Sequence, residues 1–195
     1  MRAALLSVLA AIISFVQAVP NPKVSTVVNV RSQVFPETCG NGNVTDLVAL
    51  YETYAVVNTV HFYTIIDKNV TVALQEGQFA FNGVIGLIFP TLQPSTLPFL
   101  CLTNARTTSF FYTTSETERA NALATGYTDY TTMGYIYTSQ VCGSVPLYRV
   151  HFIGANADYI YTTSIVERDN AIVQGFVDEG IAGYVMEPPS GMIIN

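Results

Sequence analysis

Residues 112 to 127 read YTTSETERANALATGY, and residues 161 to 176 read YTTSIVERDNAIVQGF, an offset of 49. No other feature constrains the fold as tightly. Copies of one supersecondary unit cannot each bury an apolar face alone, so they must pack on one another. The copying runs further than the two quoted lines. Gly134 and Gly183 keep the offset, and TLPFLCL at 96–102 answers SVPLYRV at 144–150. A third, more degraded copy begins upstream. Stepping back from Tyr112 lands on Tyr63 in HFYT; VALY at 48–51 parallels VPLY at 145–148, and FNGVIGLIF at 81–89 parallels DEGIAGYVM at 178–186. The reading is three units of about 49 residues, at about 45–93, 94–141 and 142–189, in one domain spanning 45–189, with a tail at 190–195.

Each unit reads as two short strands, a helix of about three turns, and a closing strand. The predicted fold is therefore α+β and β-rich: three ββαβ repeats in a pseudo-threefold, propeller- or trefoil-like closed body, preferred over an open solenoid. The helices carry clear punctuation. Ser115 and Ser164 are placed as N-caps, with Glu118 and Glu167 three residues on, a pattern that satisfies two orphan N–H groups reciprocally. Gly126 and Gly175 are placed where a left-handed residue ends the helix, and Tyr127 and Phe176 follow. Ala122, Leu123, Ala171 and Ile172 are expected to face the core. Arg119 and Arg168 sit beside that face and read as structural, stems packed and guanidinium groups bonded to carbonyls or a carboxylate. In the first unit Asn69 replaces the capping Glu, and Asp67 is a substitute cap.

The first residues look like a targeting segment. Arg2, the apolar run at 4–16 and the small residues around Ala18 form a secretory signal peptide over 1–18, with 19–44 as an N-terminal extension. No later stretch approaches ~20 uninterrupted apolar residues, so no membrane insertion is expected. The whole chain carries a net charge of −6. Removing Arg2 leaves 7 basic against 14 acidic residues, or −7. That balance excludes nucleic acid as a partner and disfavours anionic membranes. Only 11% of residues are charged and 50% are hydrophobic, with 12 Tyr and 11 Phe, which describes a folded, strand-rich chain.

A secreted chain with three cysteines can form one disulfide. Cys39 and Cys142 lie in Gly-bearing connections and are paired; Cys101 lies in an apolar run and reads as a buried thiol. Asn43 and Asn69 open N-glycosylation sequons, and Asn69 is expected to face solvent because Glu118 and Glu167 should.

Little in the sequence points to chemistry. His61 and His151 lie far apart without metal-ligand spacing, so neither metal nor cofactor is expected. No nucleophile elbow or phosphate-cradling loop is present. Glu118 and Glu167 are explained by capping, and Asp178 and Glu179 by a turn, so a carboxylate pair for glycoside hydrolysis has no pointer. The aromatic residues are the positive hint. Alternation on the second strand of each unit puts His61 with Tyr63, Phe110 with Tyr112, and Tyr159 with Tyr161 on one face. Phe62, Phe111 and Ile160 take the other. Either both faces are buried between units, or one presents six aromatic and imidazole groups to an amphipathic ligand such as a sugar.

The motif YTTSxxERxNAxxxGY/F, followed by DEGIAGYV and VPLYR, resembles a secreted three-repeat domain-of-unknown-function family of fungi and bacteria. Its repeats carry HFYTT, ER, GY and EGIAGYV, and the resemblance covers residues from about 45 to 187. Histidine opens the HFYT motif only at His61; Phe110 and Tyr159 replace it later. The resemblance implies a module often appended to extracellular hydrolases, with no activity to carry over. The expected function is a secreted, non-catalytic recognition module for carbohydrate or cell-wall surfaces, with a glycan or cell-wall polymer as partner. The alternative is a structural or protein-interaction protein of the extracellular matrix, and a secreted hydrolase ranks third.

Overall fold

The computed structural model describes residues 39, 47–66, 69–71, 74, 79–154 and 157–188. The signal-peptide reading at 1–18, Asn43, Asp67 and the tail at 190–195 lie outside the described residues, as does the 19–44 extension apart from Cys39.

Among the described residues, alternating apolar positions and short polar turns give nine strands. They are β1 (Val48–Ala55), β2 (Val60–Thr64), β3 (Ala80–Ile88), β4 (Thr96–Asn104), β5 (Ser109–Thr113), β6 (Thr128–Tyr137), β7 (Val145–Phe152), β8 (Asp158–Thr162) and β9 (Val177–Val185). Among the described residues two complete helices interrupt them, α1 (Glu116–Ala124) and α2 (Ile165–Val173). Among the described residues, helical backbone in the first third is confined to Asn69–Thr71 and Leu74.

Among the described residues all strand pairs are antiparallel. They form a three-stranded sheet in the order β2-β1-β3 and a six-stranded sheet in the order β5-β4-β6-β9-β7-β8. This overturns the predicted closed propeller- or trefoil-like body of three ββαβ repeats. A propeller blade keeps its own sheet and packs face to face with the next. Here β6 and β9 join edge to edge at Tyr137 and Tyr184, merging six strands into one sheet, while the first three strands stay apart. The far end of β3 touches the larger sheet through two isolated bridges, Leu87 with Met186 and Phe89 with Tyr135. Gly134 permits the second bridge, because a Cβ there would meet the Phe89 carbonyl oxygen at 2.6 Å.

The helix ends follow their sequence signals in part. Ser115 Oγ accepts from Glu118 N at 3.2 Å, and Ser164 Oγ from Glu167 N at 3.2 Å. The reciprocal half of each box is absent: the N–H groups of Ser115 and Ser164 donate instead to Thr113 Oγ1 and Thr162 Oγ1. The two glutamates accept from those same threonine hydroxyls. Gly126 and Gly175 have φ of +97° and +98°, and Tyr127 and Phe176 close each helix by donating N–H to Ala122 and Ala171. Ala122 and Ala171 are buried, but Leu123 and Ile172 are 37% and 38% exposed, so the core-facing stripe is narrower than the sequence suggests.

The two Cys residues read as a pair form the disulfide Cys39–Cys142, and Cys101 is a buried free thiol. Burial pushes that thiol up to about 12, against a partly offsetting hydrogen bond with Tyr112.

Candidate functional site

Strands β2, β5 and β8 meet at the centre of the core, and each delivers a tyrosine to one point. Tyr63, Tyr112 and Tyr161 are at most 1% exposed, with ring centroids 5.3–5.5 Å apart and tilted towards edge-to-face. Their hydroxyls close a ring on the backbone. Tyr112 Oη accepts from Tyr63 N and donates to Tyr63 O, both at 2.9 Å. Tyr161 Oη accepts from Tyr112 N at 2.8 Å and donates to Tyr112 O at 2.7 Å. Tyr63 Oη accepts from Tyr161 N at 2.9 Å, then departs from the pattern by donating to Glu52 Oε1 at 2.9 Å. Buried polar groups need such partners, and here aromatic packing and hydrogen bonding reinforce each other. Burial drives all three phenols well above their usual range, so they stay protonated.

These three tyrosines therefore cannot line a ligand surface, which corrects half of the expected aromatic platform. The reason is that the three strands pack on each other, burying both faces; Phe62 and Phe111 are buried as well. The other three platform residues lie nearer the surface. Phe110 is half-buried against Phe62, His61 is half-buried, and Tyr159 is 8% exposed.

Tyr159 lines a cleft of about 280 Å³ between α1 and the β7–β8 hairpin, together with Phe111, Glu118, Asn121, Tyr127 and Glu179. Arg149 forms its floor. This guanidinium is 8% exposed and bonds Glu118 twice, Nη1 to Oε2 at 3.0 Å and Nη2 to Oε1 at 2.7 Å. On its other side Nε lies 2.6 Å from Glu179 Oε2, an ion-pair contact without the alignment of a hydrogen bond. The guanidinium stacks 5.0 Å above the Phe111 ring. His151 stacks on Tyr159 at 4.0 Å and places Nδ1 3.2 Å from Glu179 Oε1, while its Nε2 is buried without a hydrogen-bond partner. The bonds from Arg149 hold Glu118 below the usual carboxylate range. Burial pushes Glu179 up, but His151 and Arg149 overcome it and hold that acid low as well.

Glu118 was expected to face solvent as a cap. Arg149, 31 residues away in sequence, draws it into the cleft instead. Nothing in the spacing marks Arg149; its only signal is an arginine inside an apolar strand. The same inference placed Asn69 in solvent, but it is half-buried, with Nδ2 donating to Thr64 Oγ1 at 3.3 Å. Glu167 stays at the surface, bonded to Thr162. Arg119 bonds Asp129 and Glu116, and Arg168 bonds Asp169 and lies 4.9 Å over the Tyr148 ring; neither enters this cleft.

His61 belongs to a second cluster, missed in the sequence. Its N–H donates to Asp158 Oδ1 at 2.8 Å and its Nδ1 lies 2.8 Å from Oδ2 of the same residue. On the opposite side Nε2 lies 3.8 Å from Glu52 Oε1. Glu52 and Asp158 are 5% and 4% exposed. Burial raises the Glu52 pKa above the usual carboxylate value, against the pull of His61. No group of three or more His, Cys, Asp or Glu suited to a metal ion occurs among the described residues.

A β-rich pair of antiparallel sheets, locked by a tyrosine ring and opening into clefts of mixed aromatic and charged lining, defines the class structurally. The chain belongs to the domain-of-unknown-function family DUF5648, whose signature it matches over residues 49–186. No curated protein and no solved structure matches it. No helix among the described residues is long and apolar enough to cross a membrane, and the disulfide points to an oxidising compartment.

Proposed function

We propose that this protein is a secreted, non-catalytic recognition module whose Arg149 cleft binds carbohydrate of the kind displayed by cell-wall polymers. The carrying observation is one open cleft that sets the rings of Tyr127 and Tyr159 beside the ionised carboxylates of Glu118 and Glu179. A sugar offers apolar C–H faces to aromatic rings and hydroxyl donors to carboxylates, and this lining meets both. The charge state supports binding over hydrolysis. A glycosidase needs one carboxyl with a raised pKa to protonate the leaving group. Both acids here are held low, so neither stores a proton near neutrality. The disulfide supports secretion, and Asn43 is a proposed glycan acceptor on that basis; Asn69, whose Nδ2 is bonded to Thr64, is not.

The test is retention of the protein on insoluble chitin, β-glucan and peptidoglycan. At least one polymer is expected to retain it, and Tyr127→Ala, checked for native fold by circular dichroism, should weaken retention about tenfold. Failure of all three polymers, or unchanged retention by the variant, would overturn the reading and favour the extracellular structural or protein-interaction role.

A further inference from the structure

The His61 cluster opens into a cleft of its own. It lies between the β1–β2 and β7–β8 hairpins, measures about 410 Å³, and is lined by Tyr54, His61, Phe152, Asp158, Ile160 and Phe176, among others. Strand β8 separates the two clefts, presenting Tyr159 to one and Asp158 and Ile160 to the other. We propose that this second cleft is a binding site for an organic cation with an apolar body, such as an arylalkyl amine.

Three observations carry the proposal. The walls are apolar and aromatic: the Phe152 and Phe176 rings lie 5.4 Å apart, and Tyr54 packs 4.6 Å from the His61 ring. Exposed apolar side chains adjoin the lining in sequence: Val57, next but one to the lining residue Thr59, is 85% exposed, and Ile153, next to Phe152, is 71% exposed. The polar end is anionic. Asp158 lines it and holds the His61 imidazole, whose Nε2 lies 3.8 Å from the buried Glu52 outside the lining, and no lysine or arginine is among the described lining residues. An anionic ligand would meet the Asp158 carboxylate in a low-dielectric pocket and be repelled. A cation gains from that carboxylate and from the aromatic faces together. The volume suits a group of this size, since small-molecule sites begin near ~300 Å³. The chain's net charge of −6 favours the approach of a cation.

The experiment is a ¹H–¹⁵N NMR titration of the full chain with phenethylammonium chloride, and in parallel with phenylacetate, which keeps the ring and reverses the charge. Phenethylammonium is expected to shift the amides of His61, Phe152 and Phe176 saturably, while phenylacetate does not saturate. Phe176→Ala should weaken binding roughly tenfold. Asp158→Asn should weaken it further in a spectrum that remains dispersed. If that variant unfolds, Phe176→Ala and the phenylacetate comparison still decide. Equal binding of the two compounds, absence of saturation, or shifts centred on Glu118 and Tyr127 would overturn the proposal. The carbohydrate reading rests on the other cleft and is untouched by that result.

Discussion

In the first hairpin Glu52 stands opposite Tyr63; in the last, Arg149 stands opposite Tyr161. Cys101 occupies the matching place opposite Tyr112 in the middle hairpin. Three side chains of different charge thus stand opposite three tyrosines that share one hydrogen-bond ring. The arginine gathers partners from outside its own hairpin: Glu118 from α1 and Glu179 from β9 turn inward to it, and an open cleft lined by ionised acids results. The glutamate does the reverse. It is desolvated, takes the Tyr63 hydroxyl as donor, and leaves His61 to Asp158. One hairpin geometry therefore supports opposite electrostatics, and the side chain across from the tyrosine decides which neighbours are recruited. The two clefts differ in kind for that reason.

The largest break in this comparison comes from removing the cation. Arg149→Met keeps the stem but removes the guanidinium that Glu118 and Glu179 share, leaving Glu179 only His151. Breaking a buried pair this way costs about 3–5 kcal/mol. Both carboxylates can turn towards water, so the expected loss is at the low end, about 3 kcal/mol. Urea unfolding monitored by circular dichroism measures it. A loss below about 0.5 kcal/mol, the scale of an exposed pair, would show that Arg149 does not organise the cleft.

The neutral member sharpens the comparison with a smaller effect. Cys101→Ala deletes one buried sulfur and should cost about 1 kcal/mol, the scale of a small core truncation. In the native protein the thiol is buried and protonated, so a thiol-specific reagent should modify it only as fast as the chain unfolds. Rapid modification under native conditions would contradict its placement against Tyr112.

Much of this was legible in the sequence, and the illegible part has a physical cause. Local signals read well: Ser115 and Ser164 cap their helices, Gly126 and Gly175 end them, and Cys39 pairs with Cys142. These depend on residues within a turn or on composition. What failed depends on which edges meet. The register that pairs Tyr137 with Tyr184 and joins two groups of strands into one sheet leaves no mark in either strand's alternation. The same holds for the sites. Arg149 with Glu118, and His61 with Asp158, are 31 and 97 residues apart, and periodicity says nothing about such pairs. Alternation along β2, β5 and β8 pairs Tyr63 with His61, Tyr112 with Phe110 and Tyr161 with Tyr159. Only packing among the three strands reveals that Tyr63, Tyr112 and Tyr161 point into the core.

The smallest expected effect is the most diagnostic, because the acids of the two hairpins respond to pH in opposite senses. Glu118 and Glu179 titrate below their ordinary range when folded. Their contribution is therefore complete above the unfolded carboxylate value and is lost as pH falls through the folded values. Glu52 is raised when folded, so it favours the folded state fully below the unfolded value and loses that advantage as pH rises through the folded one. Glu52→Gln keeps an oxygen to accept the Tyr63 hydroxyl and removes the ionisation that burial opposes. It also forfeits the attraction of His61 at 3.8 Å, which offsets part of the gain. The variant should then match or exceed the parent near neutral pH by up to about 1 kcal/mol, and the gap should close as the solution is acidified through the carboxylate range. Glu179→Gln should do the opposite, losing most at neutral pH and flattening the acid limb. Unfolding free energies of both variants across that range give the answer. If Glu52→Gln is instead weakest at neutral pH, the ion pair with His61 outweighs desolvation, and the first hairpin resembles the last after all.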